Sequence, residues 1–230
     1  MPIGPRLVYK SSTPSYPGTM VLLMHMDSSS FPDYKSHTVT KKGTPTYDTA
    51  DYKFSTGSVK FDGSSNALLV SASSDFGIGN GAFTIEFWVK NRSATSNTVM
   101  LSIQDSASPF SNGIYVLYQG TFLSVIHSAG TVNTSGTLTG GWDHLVVSHS
   151  GASTPIRVFR NGTMIAKSVN VSPKIGSSAG VPCYVCIGAE SNNNGSTWTA
   201  YCAVSIDELR IDTTDRYPSD SSFTPPSAPY

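Results

Sequence analysis

The stretch "AFTIEFWVK" places Phe83, Ile85, Phe87 and Val89 at every second position, with Thr84, Glu86, Trp88 and Lys90 between them. A two-residue apolar period is the mark of a strand with one face on a core and the other toward water, because successive side chains of a strand point to opposite sides. Similar short runs follow: "TVMLSIQ", "GIYVLYQ", "TFLSVIHS", "HLVVSHS", "IRVFR", "TMIAKSV", "CYVCIG" and "AVSIDELRI". No segment of helical length carries a competing 3.6-residue period. Many strands with one apolar face each must stack as two sheets or close on themselves. The expected fold is therefore all-β, a two-sheet antiparallel β-sandwich of the jelly-roll kind.

Turn chemistry supports that reading. Asn161-Gly162 separates two alternating runs in "IRVFRNGTMIAKS" and suits a two-residue hairpin whose central residues need positive φ. A second hairpin is expected at Gln119-Gly120 in "LYQGTFLSV". A chain of 230 residues, 38% apolar and 10% aromatic, can bury one large core. Residues 1–18 hold four prolines and two glycines without either period, and read as an extended arm. Residues 19–211 form the sandwich. Residues 212–230 form a proline-rich strap, which Pro218, Pro225, Pro226 and Pro229 keep out of a central strand. Tyr217, Phe223 and Tyr230 are placed to pin it along the sandwich edge.

Charge narrows the function. Lys+Arg and Asp+Glu number 15 each, so no net field gathers nucleic acid or an anionic membrane. The apolar run "TMVLLMHMD" is too short to span a bilayer and lacks a basic leader, so synthesis in a cytoplasm without a signal peptide is expected. Cys183, Cys186 and Cys202 lack the spacing of a zinc site or a redox motif. They are expected as buried free thiols, with a Cys186–Cys202 bond across a hairpin left open.

Catalytic patterns are weak. Glutamate occurs at positions 86, 190 and 208 alone, and Glu86 has no acidic neighbour on its own strand face for paired-carboxylate hydrolysis. His25, His37, His127, His144 and His149 sit mainly in or beside strands, where a structural role is the ordinary one. The loop "ESNNNGSTWTAY" offers a ligand instead. Asn192, Asn193 and Asn194 supply amides that can read hydroxyls, and Trp198 a ring that can stack on a sugar; a turn beside a core Trp explains the same letters. Trp88 and Trp142 are read as packing residues.

Taken in order, "SVKFDGSSNALLV", "GAFTIEFWVK", "GWDHLVVSHSGASTPIRVFRNGTMIA" and "SIDELRI" resemble the laminin-G-like, concanavalin A-like jelly-roll domains, over about residues 20–211. The ending "SIDELRIDTTDRYPSDSSFTPPSAPY" is similar to that of such domains in tailed-phage virion structural proteins. The bulkier, cysteine-bearing "YCAVSID" departs from the glycine usual before the Ile-Asp pair. The resemblance implies a non-enzymatic virion surface protein, decorating a capsid or associated with a tail. Other virion proteins would be its partners through the termini, surface glycans its ligands, and a homo-oligomer, by symmetry a trimer, its assembly. Two other readings stay open: a carbohydrate-binding adhesion module of tail-fibre type, and a glycoside hydrolase. Resembling domains often hold calcium at the sandwich rim, and Asp27 and Asp207 are the matching positions, unless Asp207 serves a structural hydrogen bond. No other cofactor is implied.

Overall fold

A computed structural model describes residues 19–105, 112–192 and 194–230; the arm expected over residues 1–18 lies outside them. In chain order the strands are β1 (Met20–Met24), β2 (Val39–Lys42), β3 (Thr46–Asp48), β4 (Ser58–Lys60), β5 (Ala67–Ser73), β6 (Ile78–Gly79), β7 (Phe83–Asn91), β8 (Thr98–Asp105), β9 (Gly113–Tyr118) and β10 (Leu123–His127). They continue as β11 (Gly130–Asn133), β12 (Trp142–His149), β13 (Thr154–Arg160), β14 (Thr163–Val171), β15 (Ile175–Ala179), β16 (Cys183–Ile187), β17 (Glu190–Asn192), β18 (Thr197–Thr199) and β19 (Val204–Asp212). Among the described residues the one helical turn is a 3₁₀ turn at Ser74–Phe76.

Two antiparallel sheets carry the fold. One runs β14-β13-β12-β7-β19-β4-β3, with β1 also paired to β19; the other runs β11-β10-β9-β8-β16-β5-β2. Their inner faces meet in one core. Ile85 and Phe87 of β7 lie opposite Val147 and Leu145 of β12, while Leu101 and Ile103 of β8 lie opposite Ile187 and Val185 of β16. All eight belong to the same buried cluster, so the sandwich expected from the alternation is the one formed. The Asn161-Gly162 hairpin is also as expected, with φ of 52° and 77° at its two central residues and Arg160 opposite Thr163. The Gln119-Gly120 turn is wider, its four residues spanning Tyr118 to Leu123.

Two features depart from simple alternation. The first is β7, which is buried from Phe83 through Val89 on both faces rather than half-exposed. Its outer face is covered over Thr84 and Glu86 by residues 212–230, which cross the sheet instead of running along an edge, and over Trp88 by Lys53 and Phe54. The second is a bulge in β19, where register passes from Asp207 opposite Trp88 to Arg210 opposite Glu86. Glu208 takes φ 51° there. The extra residue puts Ile206, Leu209 and Ile211 in the core and turns Arg210 outward, where strict alternation would have driven Glu208 and Arg210 inward. Cys183, Cys186 and Cys202 are buried free thiols, with pKa values pushed up to about 12 by burial.

Candidate functional site

The outer faces of the two sheets are covered in different ways. On the eight-stranded sheet the strap seals Glu86, which is fully buried. Its Oε1 accepts from Arg210 Nε at 3.0 Å and Nη2 at 2.5 Å. Its Oε2 accepts from the Tyr217 hydroxyl at 2.8 Å and the Tyr230 hydroxyl at 3.2 Å, and lies 3.2 Å from His144 Nε2. Arg216 sits beside this group and donates to Asp212 at 2.6 and 2.9 Å. Burial pushes the Glu86 carboxyl up, but His144 and Arg210 outweigh it and hold the pKa at about 2. A carboxylate so held is a poor proton donor at neutral pH and has no access to solvent, so it lacks what a general acid requires.

Strap packing completes the seal. Phe223 stacks on Tyr217 at 4.1 Å between ring centres and meets Phe159 edge-on at 5.4 Å. Its N–H donates to the Gly162 carbonyl at 3.0 Å. Asp220 pairs with Arg157 at 2.8 Å and Lys167 at 2.5 Å. The Arg210 guanidinium lies 3.9 Å over the Tyr230 ring. The three aromatics expected to pin the strap do so.

On the seven-stranded sheet the β17–β18 hairpin lies over the outer face and leaves a crevice of about 300 Å³ at its border with the β2 edge. That volume is at the lower end of the range for small-molecule sites, about 300–1,000 Å³. One wall is Thr40, Lys41, Lys42 and Leu69; the other is Asn194, Gly195 and Trp198. Leu69 reaches this side because it alternates with Leu68 and Val70 of the core.

The hairpin is anchored at its base. The carbonyl of buried Ser191 accepts from Gln104 Nε2 at 2.8 Å and the Tyr184 hydroxyl at 2.9 Å, and Tyr115 donates to Gln104 Oε1 at 2.7 Å. Burial raises the pKa of both phenols, Tyr184 to about 12, so they stay protonated donors. At the tip the Ser191 hydroxyl accepts from Gly195 N–H at 2.9 Å, and the Trp198 indole N–H donates to the Gly195 carbonyl at 2.8 Å. That bond fixes the half-buried indole at the crevice wall. Gly195 has φ 93°, a left-handed conformation that L side chains rarely adopt, so this turn favours glycine.

Of the residues expected to bind a ligand, Asn194 and Trp198 line this crevice, Asn192 does not, and Asn193 lies outside the described residues. The opposite wall was missed: nothing in "VTKK" or "ALLV" says that β2 and β5 lie beside a hairpin more than a hundred residues away.

Asp27 and Asp207 both hold the 53–56 loop. Lys53 and Phe54 N–H donate to Asp207 Oδ2 at 2.8 and 3.0 Å, and Thr56 N–H donates to Asp27 Oδ1 at 3.0 Å. Asp207 Oδ1 is buried with no hydrogen-bond partner, and burial, against those two N–H groups, raises its pKa to about 7. No group of three or more His, Cys, Asp or Glu arranged for a metal occurs among the described residues. Calcium takes six to eight oxygens, so a cation here would draw most of them from carbonyls and water.

Comparison with known proteins places this architecture. Residues 62–218 match the family model of the concanavalin A-like lectin/glucanases superfamily, of laminin-G type, and the chain belongs to that family. Among solved structures it is similar to domain 4 of AbnA, an extracellular GH43 arabinanase from Geobacillus stearothermophilus solved with arabinotriose. The TM-score is 0.66 and the identity 19%, over 88% of this chain and 96% of that one. It is also similar to the binding domain of botulinum neurotoxin serotype C1, with a TM-score of 0.59 and 14% identity over 86% of this chain and 49% of that one. A neurotoxin type C structure, whose cell entry depends on interaction with two ganglioside molecules, gives a TM-score of 0.59 and 15% identity over 86% and 48%. The chain thus spans about half the length of these neurotoxin structures. No curated protein matches the sequence.

Proposed function

We propose that this chain is a non-catalytic carbohydrate-binding domain whose sugar site is the crevice between the β17–β18 hairpin and the β2 edge. The observation that carries it is the Trp198 indole, locked by its own hydrogen bond beside the exposed Asn194 amide and the Leu69 side chain. An immobilised ring for stacking and amides for hydroxyls are what sugar recognition needs. Support also comes from the similarity to an arabinanase domain solved with arabinotriose and to ganglioside-dependent neurotoxin structures. Hydrolysis is disfavoured by the burial of Glu86. Screening the protein on a glycan array tests the reading: reproducible binding that Trp198→Ala abolishes without loss of fold is expected, and silence across the array overturns it.

We further propose that the domain sits on a tailed-phage virion surface, on the head or the tail, attached to other virion proteins through its terminal segments, residues 1–18 and 212–230, and assembled as a trimer. The similarity of the "SIDELRI…FTPPSAPY" ending to phage structural proteins supports it. Deleting residues 1–18 should lower incorporation into particles; undiminished occupancy refutes that role.

A further inference from the structure

We propose that the crevice selects an acidic sugar, one bearing a carboxylate or sulfate, and that Lys42 is the residue that reads the charge. This rests on the glycan-binding reading of the same site. Among the described residues the charged ones lining the crevice are Lys41 and Lys42, and no carboxylate lines it. Glu190, the acid carried by the hairpin, lies at its base opposite Thr199 and is 8% exposed.

Strand register separates the two lysines. Thr40 lies opposite Leu69 and Lys42 opposite Ala67, so Thr40, Leu69 and Lys42 share the outer side that faces the hairpin. Lys41 alternates to the other side, where its ammonium lies 5.6 Å over the Phe31 ring. Lys42 is exposed and, among the described residues, has no acidic partner. The cations near the strap are spent differently: Arg157, Lys167, Arg210 and Arg216 each pair with a carboxylate of the same chain.

Any lysine on an edge strand discourages strand addition from another molecule. That role asks nothing of position. An unpaired ammonium on the same side as a fixed indole and an exposed amide supplies what a charged pyranose presents: a face to stack, hydroxyls to bond and an anion to pair.

The test uses the full chain on an array of uronic-acid, sialic-acid and sulfated oligosaccharides printed beside their neutral counterparts. Calorimetric titration of the strongest acidic ligand and its neutral partner then compares wild type, Lys42→Gln, Lys41→Gln and Trp198→Ala. Acidic ligands should bind more tightly, and more weakly as salt rises. Lys42→Gln should cost about three- to tenfold for the acidic ligand and little for the neutral one, with Lys41→Gln costing less. Equal binding of both ligands, or an unaffected Lys42→Gln, while Trp198→Ala still abolishes binding, overturns the acidic preference and leaves the sugar site standing. Loss of all array binding overturns the sugar site as well. Thermal melts confirm that these surface variants fold.

Discussion

The strap-covered face and the hairpin-covered face of this sandwich solve the same problem with opposite outcomes. Each covers an outer sheet surface with the segment that follows one of that sheet's own strands, β19 for the strap and β16 for the hairpin. Under the strap one carboxylate gathers its neighbours: Glu86 binds Arg210, His144, Tyr217 and Tyr230 at once. Under the hairpin the polar bonds are concentrated at Ser191 and Gly195, and the border with β2 keeps an amide, an indole and an ammonium turned toward solvent. A buried polar network centred on one carboxylate stabilises its cover, whereas a cover held at its base and tip leaves room for a guest at its border.

The sharpest way to break that contrast is Glu86→Ala. It strands Arg210 and His144 in a buried site and should destabilise the fold by about 3–5 kcal/mol, lowering Tm by roughly 10 °C in a calorimetric scan. The pH dependence has a defined sign. The Glu86 carboxyl is held at about 2, below its ordinary 4.5, so its contribution is full above pH 4.5 and is lost as pH falls toward 2. That loss amounts to about 3 kcal/mol and should be absent from the acid unfolding curve of Glu86→Gln.

A smaller effect is expected from Gly162→Ala. The new Cβ would fall 1.8 Å from the Phe223 carbonyl oxygen, at a residue with φ 77°. Loosening of the strap should cost about 2 kcal/mol and speed proteolysis after residue 212, without altering glycan binding. Calcium offers the next test. If Asp27 and Asp207 hold a cation, adding calcium above a chelator baseline raises Tm in wild type and not in Asp207→Asn; an identical response in both removes that role. The smallest stability change belongs to the hairpin face: Trp198→Ala should cost about 1 kcal/mol or less while removing sugar binding. A large loss of stability there would erase the distinction between the two faces.

Much of the scaffold was legible because local chemistry wrote it. The alternation of Phe83, Ile85, Phe87 and Val89 and the Asn161-Gly162 turn depend on neighbours in the chain. The strap was legible from its prolines and aromatics, but its destination was not, since docking on β7 depends on Glu86 meeting residues 144, 210, 217 and 230. A signal for part of this was present. In "SIDELRI" the apolar positions 206, 209 and 211 are spaced three and then two, the signature of one extra residue in a strand, and that bulge is what brings Arg210 to Glu86. The crevice divides the same way: Asn194 and Trp198 announce themselves as a loop with an aromatic, whereas Thr40, Lys42 and Leu69 join them only through the β2–β5–β16 pairing.

The attachment of the β17–β18 hairpin through the Ser191 carbonyl has a bearing on how such a domain can diversify. Gln104, Tyr184 and Tyr115 grip its foot through bonds that do not depend on the side chains at positions 194, 196 and 197. The tip can therefore be rewritten, lengthened or exchanged while the framework beneath it stays put, which makes this corner a natural place to graft new recognition.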